Sequence, residues 1–169
     1  MTTSLMADAF GHHVWATIRL IDTCLTLSDE QLETVVPGTF GTILATIRHT
    51  VGADASYLYT LTGGPTPEID EDTMDLAELR AAMEGCGPAW IQLLAEDPDP
   101  DAVVVRHRDD GSDSFAPIGI RLAQALHHGT DHRSQICTAL TTLGIEPPEI
   151  DAWEFGALDG RVRQTAPTS

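Results

Sequence analysis

Lysine is missing from this chain of 169 residues. Its nine basic side chains are all arginine and stand against 26 aspartates and glutamates, for a formal charge of −17. A surface of that sign repels phosphate backbones and anionic lipids, so nucleic acid and membrane surfaces are set aside as partners. Long apolar runs are missing too. No stretch approaches the length of a transmembrane helix, and the amino terminus has no basic region leading into a continuous apolar segment. No signal peptide is read, and the expected compartment is the cytoplasm. Cysteine is scarce and odd in number: Cys24, Cys86 and Cys137 are too widely spaced for a thiolate zinc cluster or a disulfide framework. They read as small buried hydrophobes in a reducing compartment. Also lacking are a glycine-rich phosphate loop, a nucleophile elbow and the paired Glu-x-x-His segments of di-iron bundles.

What is present organises into helices. The apolar share of 42% and the length suit one domain over 1–169, with 157–169 as a flexible tail. Phe10, Val14, Ile18, Ile21 and Leu25 recur at helical spacing and predict a helix over 5–27. Ser28 with Gln31 three residues on forms a capping box for a short second piece, which Pro37-Gly38 ends. Phe40, Ile43, Leu44, Ile47, Val51, Leu58 and Leu61 predict a long helix over 40–61, stopped at Gly63-Gly64-Pro65. Another runs over 75–96 on Leu76, Leu79, Met83, Trp90, Leu93 and Leu94, with a kink or break expected at Gly85, Gly87 and Pro88. Val103-Val104-Val105, the turn signal Asp109-Asp110-Gly111 and Ser114-Phe115 predict a hairpin. The last long helix begins at Pro117 or Ile118 and ends at Leu143 before Gly144. A short helical tail over 149–155 is expected to lie back on the bundle, with Trp153 and Phe155 as anchors. The fold class is therefore all-α, a four-helix bundle with a small hairpin before the last long helix. Of the 26 acidic residues, 14 lie between Glu68 and Asp113, which marks that half as a solvated face.

Histidine is the polar residue that clusters. His128 and His132, four apart on the last helix, stack on one face with their rings free to converge, a common way to offer two nitrogens to a divalent metal. Both sit at an edge of that helix's apolar stripe. A third ligand has to come from another helix. His49 is one candidate, although on the wheel it lies nearly opposite its own stripe, among Ala45, Gly52, Ala53 and Ser56. His13 flanks the first helix's stripe, where a fourth ligand, an outer hydrogen-bond partner, a pocket wall and a plain edge position all stay open. His12 points further out, His127 faces solvent, and His107 falls in the hairpin. Arg133 and Gln135 suit either orienting a ligand or locking the helix. Asp131 lies on the far side, and Cys137 reads as core.

The run His128-Gly129-Thr130-Asp131-His132-Arg133-Ser134-Gln135-Ile136, followed by Leu143-Gly144 and Pro147-Pro148, closely resembles the carboxyl-terminal signature of the DinB family, the DinB/YfiT-like metalloenzymes. Upstream, Gly41-Thr42-Ile43-Leu44-Ala45-Thr46-Ile47-Arg48-His49, continuing to Tyr57-Leu58 and Gly63, resembles that family's second-helix motif. The similarity covers about residues 5–155. It implies an up-down-down-up bundle with a divalent metal, zinc or nickel foremost, held by His49, His128 and His132 at one end of the interior. It also implies a homodimer. Members with known activity include transferases and isomerases that use small thiols such as mycothiol or bacillithiol. The leading expectation is a transferase in which the metal lowers the pKa of a low-molecular-weight thiol, whose thiolate attacks an electrophilic small molecule. Two alternatives stand beside it: a hydrolase using metal-activated water, and a non-catalytic dimeric bundle with a structural or vestigial metal site.

Overall fold

The structure, a computed structural model, describes residues 4–108, 110–163 and 165. In chain order it comprises α1 (Leu5–Cys24), α2 (Asp29–Leu32), α3 (Ile43–Thr62), α4 (Leu76–Ala95), β1 (Val103–His107), β2 (Asp113–Pro117), α5 (Ile118–Thr142) and α6 (Ala152–Leu158). Helices α1, α3, α4 and α5 form the bundle. Each of α1 and α3 packs on both α4 and α5, so α1 and α3 stand diagonally across the core.

Side-chain partners fix the directions. Arg80 near the start of α4 meets Asp22 near the end of α1, so those helices are antiparallel. Arg48 in the first turns of α3 donates to the carbonyl of Met74, just ahead of α4, which makes α3 and α4 parallel. His13 and Thr17 of α1 both meet Arg133 of α5, while Cys24 lies near Cys137 further along; α1 and α5 are parallel. The order is up-down-down-up. Its core joins Leu20, Ile21, Ile47, Val51, Leu79, Met83 and Leu140 at one end to Phe10, Leu58, Trp90 and Leu122 at the other.

Local chemistry sets the ends. The Ser28–Gln31 capping box opens α2, and Asp75 with Glu78 does the same for α4. Thr42 accepts from the Ala45 amide and starts α3 there, two residues beyond Phe40. Phe40 is thus outside the helix and 53% exposed, not part of its buried stripe as the sequence period indicated. Gly63, at φ 61°, closes α3 in the left-handed conformation. Of the kink or break expected at Gly85, Gly87 and Pro88, the break does not occur: α4 runs through them as one helix. Pro88 removes a single amide on the solvent side, while Met83, Cys86, Trp90 and Leu93 hold the inner face in the core.

The hairpin is antiparallel, with Val105 opposite Phe115; Asp109 of its turn lies outside the described residues. Arg121 of α5 fastens it by donating from Nη2 to the carbonyls of Val104 and Ser114. Over α1, Phe155 packs edge-on to His12 and 5.6 Å from Trp15. Trp153, expected as a second anchor, is 74% exposed, because the short α6 turns it away when Phe155 and Gly156 face inward. Of the tail read over 157–169, Arg161 pairs with Asp8 and Asp159; residues 164 and 166–169 lie outside the described set.

Candidate metal centre

Antiparallel pairing of α3 with α5 brings His49 opposite His128 and His132. His128 Nε2 is 3.1 Å from His49 Nε2 and 3.1 Å from His132 Nε2, and one nitrogen from each ring lies within 4.8 Å of the others. Tetrahedral bonds of zinc–imidazole length set ligand nitrogens about 3.3 Å apart, so two of the three spacings already approach those of a coordinated ion. Among the described residues this is the group of histidine, cysteine or carboxylate side chains with metal-binding spacing. It is a cluster capable of coordinating a metal ion.

The outer nitrogens settle the proton positions. Gln135 Oε1 accepts from the Phe40 amide at 3.0 Å, which identifies that atom as the oxygen. His132 Nδ1, 3.0 Å from the same oxygen, must therefore donate to it. On His49, Nδ1 faces Glu71 Oε2 at 3.3 Å and donates to the carboxylate. In the neutral tautomer that these bonds select, each ring turns an Nε2 lone pair toward the common point. His128 can give its one Nε2 proton to a single neighbour, and a cation in its place satisfies all three nitrogens. Burial, then the neighbouring imidazoles of His132 and His49, push the His128 pKa down to about 4, so a second proton is resisted.

Phe40 lies flat on the His49 ring, centroids 4.1 Å apart at 9°, and meets His132 edge-on. Tyr57 approaches His128 from two turns further along α3. His132 is buried, whereas the His49 side chain keeps 28% of its surface; the cluster sits at the α3–α5 seam with one side open to water.

His13 belongs elsewhere. It is 1% exposed, with Nε2 2.9 Å from Asp54 Oδ2 and Nδ1 2.9 Å from Arg133 Nη1. Arginine only donates, so Nδ1 is the acceptor and Nε2 carries the proton to Asp54. This buried chain ties α1, α3 and α5 together one residue from His132 and five from His49. Arg133 also donates to Thr17 and Thr130, and burial lowers its pKa to about 10. It is a structural partner. Gly129 makes the arrangement possible, since a side chain there would overlap the His13 ring. Behind α5, a cavity of about 530 Å³ is bordered by His12, Leu126, Thr130, Arg133 and Phe155 and by none of the three clustered histidines. His12 bonds the Ile150 carbonyl, His107 pairs with Asp113, and His127 and Asp131 face solvent. Burial pushes the Cys24 and Cys86 thiols up to about 12 and raises that of Cys137, in keeping with unreactive packing residues.

In the sequence Glu71 is one carboxylate among many in an acidic segment, and Phe40 falls in register with the apolar stripe of α3. The unusual feature near them was the small-residue face of α3 around Gly52.

A four-helix bundle carrying three imidazoles at the seam of two antiparallel helices defines a class of metal-binding bundle. The chain belongs to the DinB family, whose family model matches residues 1–161. No curated protein is similar enough to the chain to count as a match.

Proposed function

We propose that the protein is a metal-dependent enzyme acting on small molecules, a transferase that directs a low-molecular-weight thiol against an electrophilic carbon. The observation that carries this reading is the convergence of the Nε2 atoms of His49, His128 and His132, with Glu71 and Gln135 holding the outer nitrogens of two rings. His49, His128 and His132 would hold a divalent ion, which would supply the Lewis acidity needed to make a thiol acidic enough to react. Imidazole donors suit zinc, nickel, copper and iron alike, and zinc or nickel is the ion proposed here.

The chain's own residues orient and shield. Gln135 fixes the His132 ring and, through the Phe40 amide, the loop beside it. The exposed ring of Phe40 offers an apolar wall next to the open side of the cluster. In the transfer the sulfur would form its bond to the electrophilic carbon, the displaced group would leave with the bonding pair, and the thiol's proton would pass to water. Among the described residues no helix is long and apolar enough to cross a membrane. Cytoplasmic residence and a homodimer are part of the same proposal.

Elemental analysis of untagged protein tests the site. Near-stoichiometric divalent metal is expected in the parent and little in a variant carrying both His128→Ala and His132→Ala. Metal absent from the parent even after reconstitution would sink the proposal. Turnover of small electrophiles is then expected only when a thiol is supplied; turnover without thiol would instead mark a hydrolase.

A further inference from the structure

Glycine inside a helix is costly, and α3 carries one at Gly52, three residues beyond His49. A Cβ built there would stand 2.5 Å from Glu71 Oε1 and 3.1 Å from Glu71 Cδ. The segment between α3 and α4 doubles back along α3, held by the Arg48 bond to the Met74 carbonyl and by the Asp70 turn that takes the Asp72 and Thr73 amides. That path lays the Glu71 side chain across the helix at its one notch, with its carboxylate against the Nδ1 edge of His49. The exposed carboxylates around it, Glu68, Asp70 and Asp72, make no bond to a clustered histidine. Arg48 is occupied by Met74.

We propose that Glu71 is a positioning residue of the three-histidine site and that Gly52 is the notch that admits it. The proposal rests on the reading of His49, His128 and His132 as metal ligands. Glu71 accepts from His49 Nδ1, which orients the ring and leaves Nε2 of the neutral tautomer free and aimed inward; its charge makes that ring a better donor. Unlike Gln135, which serves His132 from the same helix, Glu71 arrives from a separate loop and depends on the absent side chain.

Two variants remove the contact by different routes. Glu71→Ala deletes the carboxylate. Gly52→Ala leaves it in the chain but displaces it, and only the flexible end of one side chain has to move. Alanine also favours the helix, so the metal-free Gly52→Ala protein should melt no lower than the parent. Affinity for Zn2+ is measured by chelator competition, and the absorption spectrum of Co2+-loaded protein reports the coordination geometry. Each variant is expected to bind Zn2+ about tenfold or more weakly and to alter the Co2+ spectrum. Glu71→Gln should recover part of the loss, and the double variant should be no worse than Glu71→Ala. Parent-like affinity and spectrum in either single variant would overturn the proposal. A parent that binds neither ion would overturn the underlying metal reading, and this inference with it.

Discussion

At the scale of single residues, side chains that look alike in sequence divide sharply by environment. His13 and His132 are both buried in helices, yet one is locked between Asp54 and Arg133 while the other turns a lone pair toward two more imidazoles. The division depends on Gly129, which lets the His13 ring press against α5. Gly129→Ala is expected to cost about 2–4 kcal/mol, because the ring must move and the Asp54–Arg133 pair loses its link in a buried setting. Urea denaturation of the metal-free protein measures this; a change within ~0.5 kcal/mol of the parent would show that the ring has room to shift. His128 and His132 were legible because four-residue spacing on a helix is itself a geometric statement. His49 was a candidate from its place inside the second long helix, but periodicity argued against it, and the resemblance is what singled it out. A helical wheel ranks faces by apolarity, and His49 turns to a seam opened by small residues. Glu71 stayed hidden for a different reason: nothing local tells one carboxylate in an acidic loop which helix it will cross.

At the scale of elements, the long helices and the hairpin follow from period and capping, and the structure departs from the sequence reading where packing overrules a local breaker or a cap overrules the period. Pro88 is the clearest. It lies exposed in the middle of α4 without interrupting it, because the surrounding turns are anchored by Met83, Cys86, Trp90 and Leu93. Its cost to the helix remains. Pro88→Ala restores a backbone donor and should raise stability by about 1–3 kcal/mol, read as an upward shift of the denaturation midpoint at unchanged slope. A lower midpoint would mean that the proline ring contributes packing that its exposure does not reveal. Phe40 is the reverse case, where an apolar residue in helical register was lost to the helix because Thr42 caps it first. Capping by one hydroxyl moved an aromatic ring from the core to the side of the candidate metal centre.

At the scale of the whole molecule, pH acts through histidines that resist protonation. His128 titrates near 4 in the folded metal-free protein against an ordinary value of 6.5, and burial lowers His12 in the same direction. Between those values the unfolded chain binds protons that the folded chain refuses. The His128 contribution is therefore complete above about pH 6.5 and is lost as pH falls toward about 4, and His12 acts in the same direction. Denaturation midpoints of the metal-free protein should drop across that window, and less steeply in His128→Gln. An identical slope in the variant would assign the effect to other groups.

His49 and His128 are 79 residues apart in the chain, and the span between them holds the whole of α4 and the hairpin, neither of which contributes an imidazole to the cluster. An ion shared by those two rings would therefore work as a clasp on a long circuit of chain. Rings so far apart in the chain converge only when it is folded, so the ion binds the folded state and not the unfolded one, and its benefit is felt wherever unfolding must be complete. Amide exchange that requires global opening should then slow in α4, far from any ligand, as much as in α3 and α5, and the melting temperature should follow the free concentration of the ion.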